Sequence, residues 1–147
     1  MPADSERPGL PRTWRPLGVR VAGAFFGVLL VVVCGFAWFG FDESIRDRFT
    51  LFQRSTLVFL GLLAAAVGYA LMRSRVVAEA DHLVVVNGYK RREFEWAEVV
   101  AVHLPPGAPW ATLDLSDGTT VPAMGIQGSD GDRARAAVRE LRTLLDP

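Results

Sequence analysis

Residues 83–96 read LVVVNGYKRREFEW, and this stretch decides how the second half of the chain is interpreted. Its opening β-branched run ends at Asn87 and Gly88, a pair that favours a tight hairpin turn because both residues tolerate a positive φ angle. In the returning segment, Phe94 and Trp96 alternate with charged residues, which is typical of a strand with one face towards a core. The stretch therefore predicts a β-hairpin.

Three further strands and a helix are predicted downstream. The runs that favour strands cover residues 98–104, 110–116 and 119–126. Asp117 and Gly118 form a second hairpin turn, and Pro122 indicates an edge strand or a bulge because proline has no N–H to donate. A final helix follows, with Asp130 and Asp132 interacting with its start. Its apolar stripe consists of Ala134, Ala137, Val138, Leu141, Leu144 and Leu145.

Two long apolar stretches precede the strands. Residues 21–41 (VAGAFFGVLLVVVCGFAWFGF) carry no charge, and as a helix they would span about 31 Å, the thickness of a bilayer core. Residues 55–72 are also uncharged and are flanked by Arg54 and Arg73, whose long side chains can reach the membrane interface. The sequence predicts two transmembrane helices joined by a loop over residues 42–54. That loop forms either a short interfacial helix or an irregular connection.

The remaining N-terminal residues and the basic side chains predict a topology. Residues 1–20 hold four of the nine prolines and show no apolar periodicity, which predicts a disordered tail. This tail has four arginines, the loop over residues 42–54 has three, and the 20 residues after the second span have five basic side chains. Basic residues favour the cytoplasmic side, so both termini are predicted to lie in the cytoplasm. The domain formed by residues 73–147 then lies at the inner face of the plasma membrane.

Residues 76–146 share specific features with a known family. These are the strand ending at Asn87, the basic turn Lys90-Arg91-Arg92, Phe94-Glu95-Trp96 before Glu98-Val99, the hairpin Leu113-x-Leu115-x-Asp117-Gly118 and the terminal helix. The pattern resembles the bacterial PH (pleckstrin-homology-like) domain. With the two apolar stretches, it is similar to the small actinobacterial membrane proteins of the low molecular weight protein antigen 6 type.

The resemblance implies an α+β fold. A two-helix transmembrane hairpin would be followed by a small PH-like antiparallel β-sheet or barrel, capped by a C-terminal helix. The matching region is shorter than a full eukaryotic PH domain, so an early strand is expected to be short or missing.

Two features are candidates for contact with a lipid or a partner. Lys90, Arg91 and Arg92 place three adjacent cations near a hairpin end, where each can interact with anionic headgroups. Neighbouring strand residues point to opposite faces, so the three are not expected to converge on one ligand. Trp110 follows a loop rich in proline and glycine, and it either belongs to the core or docks a partner or the bilayer interface.

Composition and motifs argue against several function classes. The 147 residues carry 16 basic and 16 acidic side chains, and this zero balance disfavours general nucleic-acid binding. One cysteine and two histidines, His82 and His103, provide neither a disulfide framework nor the three or four ligands of a zinc site. Phosphate-binding glycine loops and a nucleophile elbow are absent. We therefore expect no enzymatic activity, no metal and no cofactor.

The expected function is that of a non-enzymatic integral membrane protein. Its PH-like domain would serve as a protein-interaction or scaffold module, with membrane lipids and another membrane protein or a second copy as partners, and not nucleic acid. Two alternatives stay open. One is an anionic-lipid sensor that uses the Lys90-Arg91-Arg92 hairpin, and the other is an accessory subunit of an envelope enzyme complex.

Overall fold

The computed structural model describes residues 9–146 of the chain. The helices are α1 (Leu17–Gly40), α2 (Glu43–Arg46), α3 (Leu51–Arg73) and α4 (Asp132–Leu145). The strands are β1 (Arg12–Trp14), β2 (Arg75–Ala78), β3 (His82–Asn87), β4 (Lys90–Glu95), β5 (Val99–His103), β6 (Trp110–Leu115) and β7 (Thr120–Gln127). Two 3-10 turns, Trp96–Glu98 and Gly128–Asp130, follow β4 and β7. The fold class is α+β, as the sequence predicts.

The strands form two antiparallel sheets, in the orders β1-β2-β3-β4 and β5-β6-β7. Helix α4 packs against β5 and β7, and its buried side chains belong to the same core cluster as those of the strands. The predicted apolar stripe of this helix is confirmed, since four of its residues are buried and Leu144 and Leu145 pack against the core. The largest fully buried side chains are Leu83, Leu113, Ile126 and Leu141.

The prediction of a disordered tail over residues 1–20 is wrong for the segment that forms β1. Strand β1 pairs antiparallel with β2, so that Trp14 lies opposite Val76. Trp14 is only 9% exposed and belongs to the core cluster. A three-residue strand leaves no periodicity for sequence analysis to detect. It is held by its pairing with β2, by the burial of Trp14 and by hydrogen bonds to Glu140. Residues 1–8 lie outside the described part of the chain.

The expectation that an early strand is short or missing is met by β1, which is present but has only three residues. This strand precedes both apolar helices in the chain, whereas β2 follows them. The helical hairpin is therefore inserted between the first two strands, in the position where a short turn would otherwise join them. The domain consists of β1 together with the segment from β2 onward, and not of residues 73–147 alone.

The two apolar helices are longer than the predicted segments 21–41 and 55–72. Helices α1 and α3 contain 24 and 23 residues, about 36 and 35 Å at 1.5 Å per residue. Both are long and apolar enough to cross a membrane, and neither contains a buried residue. A capping box between Thr50 and Gln53 begins α3 earlier than predicted. The intervening loop is correspondingly shorter than 42–54 and contains the single helical turn α2.

The predicted β3–β4 hairpin is confirmed, with a correction to its turn. Asn87 is the last residue of β3, and the turn residues are Gly88 and Tyr89, of which only Gly88 has a positive φ, +59°. The Asn87 side chain instead donates to the Pro122 carbonyl and accepts from the Met124 N–H at 2.9 Å. Asparagine at this position therefore joins β3 to β7 and does not form the turn.

The second predicted hairpin turn is also confirmed. Gly118 has a φ of +83°, and an Asp117 carboxylate oxygen accepts hydrogen bonds from the hydroxyl and the backbone N–H of Thr119 at 2.7 and 2.8 Å. These two bonds hold the pKa of Asp117 below its ordinary value of 3.8. Strand β7 lies at the edge of its sheet, as Pro122 predicts.

Candidate functional site

The predicted basic cluster lies on β4, which is an edge strand of the larger sheet. Lys90, Arg91 and Arg92 are all exposed. Strand alternation places Lys90 and Arg92 on one face and Arg91 on the other, where Arg91 pairs with Glu93 at 2.5 Å. The three cations therefore do not all lie on one face of the strand, as the sequence predicts from their spacing.

The tip of this hairpin contacts the last turns of α3. The Tyr89 hydroxyl donates a hydrogen bond to the Ala66 carbonyl at 2.7 Å. The Arg73 guanidinium lies over the rings of Tyr69 and Tyr89, at 5.7 and 5.5 Å from their centroids, in cation–π geometry. The basic strand is thus held beside the end of α3 where the chain returns to the domain.

A buried serine makes a second connection at the same end of α3. The Ser74 side chain is fully buried, donates to the Ala70 carbonyl at 3.1 Å and accepts from the Gly88 N–H at 2.9 Å. Glycine at position 88 permits this approach, since a Cβ there would lie 3.3 Å from that of Ala70, in addition to the positive φ. The end of α3 and the hairpin turn are therefore joined through one hydroxyl.

The start of α1 is bound by an acidic residue from the distant end of the chain. The two carboxylate oxygens of Asp130 accept hydrogen bonds from the backbone N–H groups of Leu17 and Gly18, at 2.9 and 2.8 Å. Pro16 occupies the N-cap position and has no side-chain acceptor, so Asp130 satisfies donors that the helix cannot satisfy itself. The prediction that Asp130 caps the final helix is wrong, because Gly131 is the N-cap of α4 and provides no side-chain cap.

Strand β1 is attached to α4 through one glutamate. Arg12 donates to one carboxylate oxygen of Glu140 at 2.9 Å, and the Trp14 indole N–H donates to the other at 3.0 Å. The connections of the domain to α1 and α3, together with the attachment of β1 directly before α1, make up what we call the junction: Asp130, Ser74, Tyr89 and Glu140. Sequence analysis missed the junction because its partners are more than ten residues apart and share no motif.

The two tryptophans considered from the sequence differ in position. Trp96 lies in the 3-10 turn after β4, packs against the core and donates its indole N–H to the Glu79 carbonyl at 3.2 Å, which confirms its predicted core role. Trp110 begins β6, opposite Gln127, and is half-buried. It is not a member of the core cluster, and part of its side chain is exposed.

The histidines pair with aspartates and do not gather into a cluster. His82 lies 2.6 Å from Asp81 and His103 lies 2.7 Å from Asp114, and the hydrogen bond from His82 lowers the pKa of Asp81. Within residues 9–146, no group of three or more His, Cys, Asp or Glu side chains is arranged to bind a metal ion.

The arrangement of two antiparallel sheets and a C-terminal helix, with the helices attached to it, can now be compared with known proteins. A family model described as Bacterial PH domain matches residues 73–144, which run from the end of α3 into α4. The chain belongs to the bacterial PH domain family, and the resemblance seen in the sequence is confirmed at this level.

Particular relatives extend the similarity beyond the domain. The uncharacterized protein Rv1417 of Mycobacterium tuberculosis is 33% identical over 135 residues, which is 90% of this chain and 84% of that protein. The uncharacterized protein Mb1452 of Mycobacterium bovis matches with the same identity and coverage. A match of this length includes residues of the apolar helices as well as the domain. No solved structure matches the chain.

Proposed function

We propose that this protein is a non-enzymatic integral membrane protein whose PH domain is a protein-interaction or scaffold module at the cytoplasmic face of the plasma membrane. The observation that carries the proposal is the insertion of the helical hairpin between β1 and β2. Both strands belong to the core, so the helices are attached to the domain at both ends. A domain attached in this way has a fixed orientation relative to the bilayer, which suits a platform for a partner. The layout of the antigen 6 type fits the same proposal.

Membrane insertion is supported by the surface of the helices. Helices α1 and α3 expose phenylalanine, leucine and valine along their length, for example Phe36 at 78% and Leu51 at 80%. A soluble protein would bury helices of this composition. A cleaved signal sequence disagrees with the position of β1, because cleavage after α1 would separate that strand from its domain.

Aromatic side chains at the far end of the hairpin also fit a membrane interface. The Trp38 and Phe49 rings meet edge to face at 5.9 Å, and the Arg54 guanidinium lies 5.3 Å from the centre of the Trp38 ring. Tryptophan and arginine are the residues that prefer the boundary between hydrocarbon and water. At the near end, Tyr89 and Arg73 form a comparable pair. The two aromatic groups mark both ends of the apolar region.

The cytoplasmic orientation of the domain is supported by the basic residues on its side of the helices. Arg15 and Arg20 lie at the start of α1, and Arg73 and Arg75 lie at the end of α3. Basic residues close to the spans favour the cytoplasmic side. The connection at the other end of the hairpin has three basic and three acidic residues in positions 42–54.

We favour a protein partner over lipid sensing as the role of this domain. Lipid sensing would depend on the Lys90-Arg91-Arg92 strand, whose cations are not arranged as one site. The Arg91 guanidinium forms an ion pair with Glu93, and Arg91 lies on the opposite face of the strand from Lys90 and Arg92. The half-buried Trp110, which follows the loop of residues 105–109, offers an aromatic contact of the kind that contributes strongly to protein interfaces. Lipid sensing remains the second candidate, because the contact of Tyr89 with α3 brings Lys90 close to the proposed membrane surface.

Topology is tested with single cysteines in the full-length chain after Cys34→Ser. A cysteine in place of Glu43 should react with an impermeant thiol reagent in intact cells, whereas a cysteine in place of Ser116 should react only after lysis. Labelling of the Ser116 position in intact cells would place the domain outside and overturn the proposal.

The interaction role is tested by purification of the full-length chain from membranes in mild detergent. A stoichiometric protein partner that is lost with Trp110→Ala, but retained with Val100→Ala, supports a scaffold. Val100 is a suitable control because it is exposed at 63% on another strand. Recovery of the chain alone contradicts the scaffold proposal, and a partner with enzymatic activity would identify an accessory subunit of an envelope enzyme.

A further inference from the structure

A cavity lies between β1, the end of β7 and the first turns of α4. It has a volume of about 250 Å³ and is lined by apolar residues of α4, by Trp14, and by five charged side chains: Arg12, Arg15, Asp130, Arg133 and Glu140. Sites for whole small molecules usually occupy about 300–1,000 Å³. The space here suits a smaller group, such as a single phosphate with part of its substituent.

Both acidic side chains that line this cavity already accept hydrogen bonds from other parts of the chain. Asp130 accepts from the backbone N–H groups of Leu17 and Gly18, where its charge is compensated by the positive end of the α1 dipole. Glu140 accepts from Arg12 and from the Trp14 indole, so its charge is balanced by the Arg12 guanidinium. Both oxygens of each carboxylate therefore already accept a hydrogen bond from the chain.

Two cationic side chains that line the cavity are not paired with either carboxylate. Arg15 and Arg133 are exposed, and neither guanidinium forms a hydrogen bond or an ion pair with another residue in the range 9–146. A guanidinium offers up to five N–H donors and binds phosphate oxygens well. Two arginines that line one small cavity therefore make a site that favours an anion with several acceptor oxygens.

The cavity also lies at a defined depth relative to the bilayer. Asp130 lines it and contacts Leu17, which is four residues before the charge-free segment that begins at Val21. Four residues of helix are about 6 Å. The polar headgroup layer on each side of a bilayer core is about 5–8 Å thick. If α1 spans the membrane as proposed above, the cavity opens among lipid headgroups.

We propose that the cavity between β1 and α4 binds the phosphate group of an anionic phospholipid through Arg15 and Arg133. The site is separate from the Lys90-Arg91-Arg92 strand, and it relies on the proposed function only for the position of α1 in the bilayer. Binding there would connect the lipid to Asp130 and Glu140, and so to both the start of α1 and β1. The chemistry shared with a soluble source is the phosphate oxyanion, which inorganic phosphate also presents.

The test uses the full-length protein in detergent, with bound lipid measured by native mass spectrometry after addition of phosphatidylglycerol or phosphatidylcholine. Arg15→Gln and Arg133→Gln should each weaken retention of phosphatidylglycerol by about tenfold or more, since a lost charge-assisted hydrogen bond corresponds to at least one decade in Kd. The matched control is Arg139→Gln, an exposed arginine on α4 that does not line the cavity. Because the Arg15 and Arg133 guanidinium groups form no hydrogen bond or ion pair within residues 9–146, circular dichroism should show all variants folded.

Further binding measurements identify the class of ligand and the part of the protein surface that binds it. Phosphatidylcholine should bind at least about tenfold more weakly, and inorganic phosphate should displace phosphatidylglycerol only at far higher concentration, because it lacks the apolar part of a lipid. Equal binding by Arg15→Gln, Arg133→Gln and wild type overturns the proposal, as does loss of binding in Lys90→Gln/Arg92→Gln alone. Displacement by inorganic phosphate at equal concentration also overturns it, in favour of a soluble anion. Carbonate extraction of membranes tests separately whether α1 and α3 anchor the protein in the membrane. A failure of the proposed membrane location can therefore be distinguished from a failure of phosphate binding.

Discussion

Trp14 and Val76 lie opposite each other in one antiparallel ladder, although the entire apolar helical hairpin separates them in sequence. Trp14 is nearly buried, and Val76 is fully buried. The pairing places the last residues before α1 next to the first residues after α3. The chain therefore leaves and re-enters the domain at one edge. The helical hairpin takes the place of the loop that would otherwise connect β1 to β2.

Removal of the hairpin should leave a folded soluble domain. Replacement of residues 17–73 by a short glycine-serine linker reconnects two adjacent strand ends, so β1 and β2 should pair as an ordinary hairpin. The measurement is circular dichroism with thermal unfolding in buffer without detergent. The control is residues 74–146 alone, which lack β1 and should unfold at lower temperature or aggregate. Equal stability of the two proteins would show that β1 contributes nothing.

Truncation of Trp14 should destabilise the domain strongly. Trp14→Ala removes a buried indole and its hydrogen bond to Glu140, and changes of this kind cost about 3–5 kcal/mol. Urea unfolding of the linker-joined domain would measure the loss. Trp110→Ala is the matched control, and its smaller effect is expected because that indole is half-buried and outside the core cluster. Similar losses for the two tryptophans would contradict the assigned role of β1.

Asp130 should stabilise the first turn of α1. Asp130→Ala removes the acceptor of two backbone hydrogen bonds, and losing a helix cap typically costs about 1 kcal/mol. Amide hydrogen exchange of the full-length protein should show faster exchange at Leu17 and Gly18. Asp132→Ala is the control, because its exposed carboxylate pairs with Arg135 on α4. Unchanged exchange at both amides would rule out the cap.

The Asp117 turn should contribute to the acid sensitivity of the domain. The hydroxyl and N–H of Thr119 lower the folded-state pKa of Asp117, so the stabilisation is complete above the ordinary pKa of 3.8 and is lost as pH falls through the lower folded value. Thermal unfolding of wild type and Asp117→Asn should therefore differ at neutral pH and converge in strongly acidic solution. A difference that stays constant throughout the acid range would contradict this assignment.

Sequence analysis succeeded where a pattern is local. The Asp117-Gly118 turn, the edge position of Pro122 and the apolar stripe of α4 depend on residues within a few positions of one another. The opposing faces of Lys90 and Arg91 follow from the two-residue period of a strand. Each of these predictions needs only backbone geometry and the neighbouring side chains, and each is seen in the structure.

It failed where a residue takes a distant partner. Asn87 and Asp130 both stand in sequence contexts typical of turns and caps, yet their side chains bond to β7 and to the start of α1. Turn and cap preferences describe which local bonds are available. They do not describe a competing acceptor or donor that folding brings close from more than thirty residues away.

The sequence by itself determined the α+β class, the two long apolar helices and the order of the strands from β3 onward, because hydrophobic periodicity and turn residues act over short distances. Only the tertiary structure decided that residues 12–14 complete the domain, that Glu140 of α4 holds them in place, and that Asp130 joins the domain to α1. A strand of three residues has too few positions to show a period, and it is ordered by the burial of Trp14 against strands that the chain reaches only after both helices.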